Sequence, residues 1–332
     1  MTTTSMDRDA PIAAERSRKP IGIRLASLAL PAIFVLFIVL FSIAEPTMFP
    51  TYRTVVTLLR TESVAAILAL ALIFPLIVGQ FDLSVGAVLG LGAILVTGLP
   101  SQQGLPLVPS LAIAVLACGA IGLINGLLVA KVGINALVAT LGTSVITTGG
   151  VLWYTRGNVF YTDIPRELPQ LAQASVLGVP LPAVFLLVVA LLSWYVLEKT
   201  PAGRYLYAVG GSSEAAALSG INVSRWTVLS FVISGLLAGF AGVLQSAQLG
   251  SGNPNVGPPF LLPAFAAAFL GATAIRVGTF NVWGTVLAVF TVAVGITGLQ
   301  LMGVEFFVAP IFQGVALLVA VSATRLLLQE RL

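Results

Sequence analysis

The chain has 332 residues, 58% hydrophobic and only 8% charged, with a formal net charge of +4 and a mean hydropathy of +1.05. Soluble domains carry roughly 25% charged residues, and a soluble fold of this size cannot hide so much apolar surface, so lipid must solvate most of the chain. Its basic residues sit mainly at the ends of apolar segments, which suits headgroups and topology and argues against nucleic acid, a partner that calls for clustered basic stripes.

Two residue counts narrow the chemistry. With no His and one Cys, Cys118, the chain forms no internal disulfide, no Zn site of Cys and His, and no Ser/His or Cys/His nucleophile pair. No catalytic or metal-ligating residue is expected. Cys118 lies in an apolar run and reads as a small helix-packing residue.

Residues 1–24 are polar and basic, with Arg8, Arg16, Arg18, Lys19 and Arg24, and read as a cytoplasmic tail. The apolar run Leu25–Ala44 ends in Ser42-Ile43-Ala44, which resembles a signal-peptide cleavage site. The run is longer than the roughly 7–15 residues of a signal-peptide apolar region, so it reads as a retained span. Further apolar segments follow at about Ser63–Val78, Leu83–Thr97, Leu107–Ala130, Ile134–Tyr154, Leu181–Leu197, Trp226–Gln248, Leu261–Ile275, Val282–Leu299 and Phe306–Thr324, ten in all with the first. Several fall short of the roughly 20 residues of a straight crossing helix. The short ones carry Gly or Pro, at Pro75, Gly79, Gly86 and Pro263, and broken helices are tolerated where they are buried in protein or line a cavity. The expected fold is an all-α membrane protein, a polytopic bundle of about ten transmembrane helices with some of them broken.

Charge counting orients the bundle. With the N-terminus inside, the cytoplasmic ends hold Arg8, Arg16, Arg18, Lys19, Arg24, Lys131, Lys199, Arg204, Arg225, Arg276, Arg325 and Arg331, and the external loops hold Arg53, Arg60, Arg156 and Arg166. Twelve against four places both termini in the cytoplasm. Residues 25–325 then form the transmembrane domain, and 326–332 a cytoplasmic C-terminal tail.

The same count puts Gly203–Arg225 inside. This is the longest polar, structured-looking interruption in the chain, and it holds Gly203, Arg204, Gly210, Gly211, Glu214, Ala215, Ala216, Ser219, Gly220 and Ile221. Ser212 to Ser219 can make about two helical turns, capped by Ser212 or Ser213, with Glu214 in the first turn and Gly220 at the C-terminal end. On the other side, Arg156–Pro180 and the turn-rich Gly250–Pro259 read either as plain connections or as surfaces for an extracytoplasmic partner. Asn222-Val223-Ser224 matches a glycosylation acceptor, but the cytoplasmic placement makes it a chance match. Gly119–Val129 and Gly235–Val243 share small residues three and four apart. That spacing suits tight helix packing in lipid better than it argues for inverted repeats.

The chain lacks the glycine-rich G-x-x-x-x-G-K-[ST] loop, and none of Lys19, Lys131 and Lys199 follows a glycine. It therefore binds no ATP through a P-loop, and active transport would draw energy from a partner or an ion gradient. Ionisable groups are nearly missing from the spans. Asp82, in the break that also holds Ser84 and Gly86, is the one candidate for ion coupling. It reads better as a helix N-cap for Leu83 onward. Asn125, Thr140, Thr143, Ser144, Thr147, Thr148, Gln245, Gln248 and Thr291, with Trp153, Tyr154 and Phe265 nearby, are pathway candidates. Each singly reads as well as interhelical glue. Spans so poor in charge suit a neutral hydroxylated solute better than an ion.

The residues carry a resemblance. Asp82-Leu83-Ser84-Val85-Gly86, Gly122-Leu123-Ile124-Asn125-Gly126-Leu127-Leu128-Val129 and Ala139-Thr140-Leu141-Gly142-Thr143 come first. Thr200-Pro201-Ala202-Gly203-Arg204 follows, leading through Ala208-Val209-Gly210-Gly211 to Glu214-Ala215-Ala216 and Ser219-Gly220-Ile221. Taken in order, these resemble the permease of ribose-type ATP-binding-cassette importers, within the branched-chain amino acid and sugar permease family, from about Leu25 to Arg325. The resemblance implies a multi-pass permease of the bacterial plasma (inner) membrane, paired with a second copy or a homologue. It implies a cytoplasmic ATPase partner that holds ATP and Mg, an extracytoplasmic solute-binding protein, and a monosaccharide or polyol as cargo. No cofactor would be bound by this chain. Gly203–Arg225 would be the segment that docks on the ATPase, with Gly210, Gly211 and Gly220 setting its direction. Many relatives carry a Glu-Leu pair and then Gly-Gly after the last external loop. Here Pro259–Ala272 lacks the carboxylate, and Ala272 stands for a glycine. The alternatives are the same machine carrying branched-chain amino acids or nucleosides, an ion-coupled secondary transporter, and a structural membrane protein.

Overall fold

The computed structural model describes residues 21–305 and 307–329. Its α-helices are α1 (Ile21–Ala44), α2 (Tyr52–Ile77), α3 (Val85–Gln103), α4 (Leu107–Leu127), α5 (Ala136–Thr155), α6 (Glu167–Gln173), α7 (Leu181–Lys199), α8 (Pro201–Gly211), α9 (Ser213–Leu218), α10 (Val223–Leu249), α11 (Leu261–Ala272), α12 (Val282–Leu301) and α13 (Val308–Gln329). The strands among the described residues are a two-residue pair, β1 (Ser175–Val176) and β2 (Val179–Pro180). Eight helices are long and apolar enough to cross a membrane, and α11 and the first half of α13 are shorter apolar helices. These are the ten apolar segments of the sequence. The basic stretch at 1–20, Phe306 and Arg331 lie outside the described residues, while Ile21–Arg24 already belongs to α1 and α13 runs past Arg325 to Gln329.

Helix α10 is the centre of the bundle and packs most extensively on α4, α3 and α2. Close approach is what allows this. A Cβ added at Gly122 of α4 would lie 2.2 Å from the Phe231 carbonyl oxygen, and one at Gly235 of α10 would lie 2.4 Å from that of Cys118. The two small-residue windows of the sequence are therefore the two faces of one helix crossing, as lipid-embedded helices require when no hydrophobic force drives them together. Cys118 is fully buried there, with its thiol directed at the Val88 carbonyl.

Two differences from the sequence reading bear on the site. Helix α2 begins at Tyr52, capped by Thr51, so Arg53 and Arg60 are helical rather than in a loop, and Glu62 lies well inside a span. The polar first turns are tolerated because they face a cavity instead of lipid. Helix α11 has only 12 residues and is the broken element. The irregular stretch that follows is held by Asn281, whose Nδ2 donates to the carbonyls of Gly271, Ala274 and Thr279 while its Oδ1 caps α12 at Gly284 N. One buried side chain thus satisfies backbone groups that hydrocarbon could not.

The connections gather at two ends. Contacts of Ser224 with Ala130, Tyr207 with Phe280 and Arg276 with Glu198 join one end, which carries α8 and α9. Contacts of Tyr52 with Gly178, Tyr154 with Gln103 and Phe160 with Gly252 join the other. Lys131, Lys199, Arg204, Arg225 and Arg276 fall at the α9 end, against Arg53, Arg156 and Arg166 at the opposite one. The opposite end is more ordered than a plain loop, since residues 156–180 include α6 and the β1–β2 hairpin.

Candidate functional site

Three features stand out: a helical surface at the α9 end, a buried polar cluster above it, and a cavity open towards the opposite end.

The surface is built by local chemistry. Pro201 opens α8, where a missing N–H costs nothing. Gly203 lets the α7–α8 corner close, since an added Cβ would lie 2.0 Å from the Leu197 carbonyl oxygen. Ser212 Oγ accepts from Ala215 N at 3.2 Å, Glu214 occupies the first turn of α9, and Gly220 ends it at φ +81°. Ser219 Oγ donates to the Ala215 carbonyl, and Ile221 N donates to that of Ala216. Of Gly210, Gly211 and Gly220, the last has the positive φ that turns the chain. Gly210 instead lets α8 approach the end of α2, at the Ile77 carbonyl, and Gly211 faces open space. Ala216 packs inward, whereas Arg204, Glu214, Ala215 and Ser219 are exposed, and Leu218 is 86% exposed at the tip. Among the described residues the ion pair is Arg276 with Glu198. Behind the surface, Tyr207 Oη donates to the Phe280 carbonyl at 2.8 Å. Burial pushes its phenol up to about 12, so the donor is retained at physiological pH.

The polar cluster centres on Asp82, which is 1% exposed. Its Oδ1 accepts from Ser84 N and Ser84 Oγ, and its Oδ2 from Ser234 Oγ of α10. Asn125 Nδ2 donates to Ser84 Oγ, and Thr143 Oγ1 donates to Asn125 Oδ1 at 2.6 Å. Thr140 Oγ1 accepts from Leu83 N. The α2–α3 connection is thus tied to α4, α5 and α10. Helix α3 starts at Val85, so Ser84 rather than Asp82 holds its N-cap position, and Asp82 forms the turn before it. Gly86 faces the Gly257 carbonyl oxygen. Asp82→Ala is expected to strand three donors at about 1–3 kcal/mol each. Asp82→Asn, which keeps the acceptor for Ser84, should lower the melting temperature in detergent far less.

The cavity measures about 630 Å³ and lies between α2, α11, α12 and α13. Arg53, Thr57, Thr61 and Glu62 line it from α2, Thr297 and Gln300 from α12, and Gln313 from α13. Deeper, its wall is apolar, with Ala65, Pro263, Ala267, Val289 and Ala293.

The sequence matches the family described as the branched-chain amino acid transport system / permease component over residues 54–321. The chain belongs to this permease family. It is 32% identical over 301 residues to the ribose import permease protein of Haemophilus influenzae, covering 90% of this chain and 93% of that protein. It is 33% identical over 294 residues to the ribose import permease protein of Bacillus subtilis, with 88% and 90% covered. To the D-allose transport system permease protein of Escherichia coli it is 31% identical over 295 residues, with 89% and 90% covered. No solved structure matches. The permease is a multi-pass protein of the inner membrane and a transport subunit.

Within this permease six of the pathway candidates of the sequence, Asn125, Thr140, Thr143, Gln245, Gln248 and Phe265, divide. Asn125, Thr140 and Thr143 belong to the Asp82 cluster. Gln248 Nε2 donates to the Arg60 carbonyl, and Gln245 is half-buried on α10. Phe265 stacks with Phe81 and Phe269. None of the six lines the cavity. Its polar residues escaped the sequence reading because they flank apolar runs and look like span ends. The signal available was Thr57, Thr61 and Glu62, a polar stripe at helical spacing ahead of an apolar run.

Proposed function

We propose that the permease is the membrane-spanning subunit of an ATP-binding-cassette importer carrying a monosaccharide or polyol. The observation that carries this reading is the similarity along nearly the whole chain to permeases named for ribose and D-allose. The geometry supports it in three ways. Helix α9 offers a small, exposed, capped surface on which a cytoplasmic ATPase, with its ATP and Mg, can dock. Asp82, the carboxylate considered for ion coupling, has both oxygens engaged by protein donors. At the opposite end, a polar hollow of about 680 Å³ is lined by Gln102, Gln103, Arg156, Asn158 and Tyr161, a place for a solute-binding protein to deliver cargo. A second permease copy or a homologue completes the pathway.

The chain itself hydrolyses no ATP. Purified alone it should show no ATPase activity, and it should co-purify with a P-loop ATPase encoded beside it. ATP hydrolysis by the isolated chain would refute the reading. The family description favours one second cargo, a branched-chain amino acid. Leucine that competes with sugar for uptake would establish it.

A further inference from the structure

We infer that the cavity between α2, α11, α12 and α13 holds the solute in transit, and that Glu62 selects a neutral polyhydroxylated one. This rests on the import function proposed above.

The volume of about 630 Å³ lies within the roughly 300–1,000 Å³ of small-molecule sites. Along α12 the lining runs from Gln300 to Val289, roughly 16 Å of helix. That depth is about half of a hydrocarbon core of roughly 30 Å. The cavity is polar near the end away from α9 and apolar at depth, the form of a path open on one side and closed on the other.

The polar wall matches hydroxyl groups. Glu62 presents a carboxylate able to accept from two neighbouring hydroxyls. Among the described residues its one hydrogen bond comes from Thr61 Oγ1 at 3.4 Å, too long to satisfy it. Gln300 and Gln313 can each donate and accept, and Pro263 and Ala267 offer an apolar face for C–H groups. An ionisable residue inside a span is expensive and is expected to have a task. Among the described residues Glu62 forms no ion pair. The nearest basic residue in the lining, Arg53, lies nine positions away on the same helix, roughly 13 Å along the axis. Hydroxyl and amide side chains make up most of the polar wall around Glu62, and such groups match the hydroxyls of a neutral solute.

The test uses the complete transporter in cells. Glu62→Gln is expected to lower the maximal rate of D-ribose uptake at least tenfold. It should also reorder the rates across a panel of pentoses, hexoses and polyols, a change that a structural defect alone would not produce. A second variant, Thr297→Cys, keeps the inference open to refutation if Glu62→Gln does not reach the membrane. Because Cys118 is buried, the new thiol is the one that a membrane-impermeant maleimide reaches, and D-ribose should slow its labelling severalfold. A wild-type transporter that carries no neutral sugar overturns the import function itself. A working transporter whose sugar ranking ignores Glu62→Gln, or whose Thr297→Cys labelling ignores the sugar, overturns the cavity assignment alone.

Discussion

Glu214→Arg is expected to abolish uptake while the chain still folds and reaches the membrane. Glu214 is exposed in the first turn of α9, away from the packed core. Reversing its charge at a helix N-terminus costs about 0.3–1 kcal/mol, too little to unfold a packed membrane protein. At a docking contact the same change is much larger. Truncating a hot-spot residue of an interface costs about 2 kcal/mol or more, and each 1.4 kcal/mol is tenfold in affinity. Uptake should therefore fall by about 30-fold or more, with membrane content on an immunoblot unchanged. Leu218→Asp, at the exposed tip, should behave alike. Normal uptake in both variants would remove α9 from the coupling path.

Gly242→Leu should have the opposite signature, loss of the protein itself. At the α3–α10 crossing a Cβ at Gly242 would stand 2.0 Å from the Leu89 carbonyl oxygen and 2.9 Å from Ala93 N. Both neighbours are helix backbone, so no rotamer change relieves the overlap. The penalty should exceed the ~1–3 kcal/mol of ordinary overpacking, and the central helix must shift away from α3. Little chain should accumulate in the membrane, and the remainder should aggregate in detergent. Gly142→Ala on α5 is the control, since nothing lies within 4 Å of its added Cβ and alanine is the better helix former. Equal accumulation of the two variants would contradict the close α3–α10 crossing.

These two outcomes reflect what a sequence can display. Helix α9 was readable because its start, first turn and stop lie within nine residues, Ser212 to Gly220, and depend on local bonds. The spans were readable because lipid demands continuous apolar runs. The glycine windows were visible, but their meaning as two sides of one crossing needed α4 and α10 together. The Asp82 cluster was half visible: Ser84 is a neighbour, but Ser234 is 152 residues away. Helix α8 was not legible, because Gly203, Gly210 and Gly211 look like loop residues until the backbones they approach are known. The cavity was the least legible. Its polar side is on α2 and its opposing walls on α11, α12 and α13, so Arg53 and Glu62 resembled span ends. Asn281 is legible as the N-cap of α12, but its bonds to the carbonyls of the irregular stretch are not.

Accumulation of D-ribose in vesicles holding the permease, its ATPase and its binding protein tests the central claim most directly. Uptake against a gradient should require ATP, stop when the ATPase is omitted, and continue when an uncoupler collapses the proton gradient. Uptake that survives without the ATPase but collapses with the uncoupler would contradict an ATP-driven importer and make the chain an ion-coupled transporter.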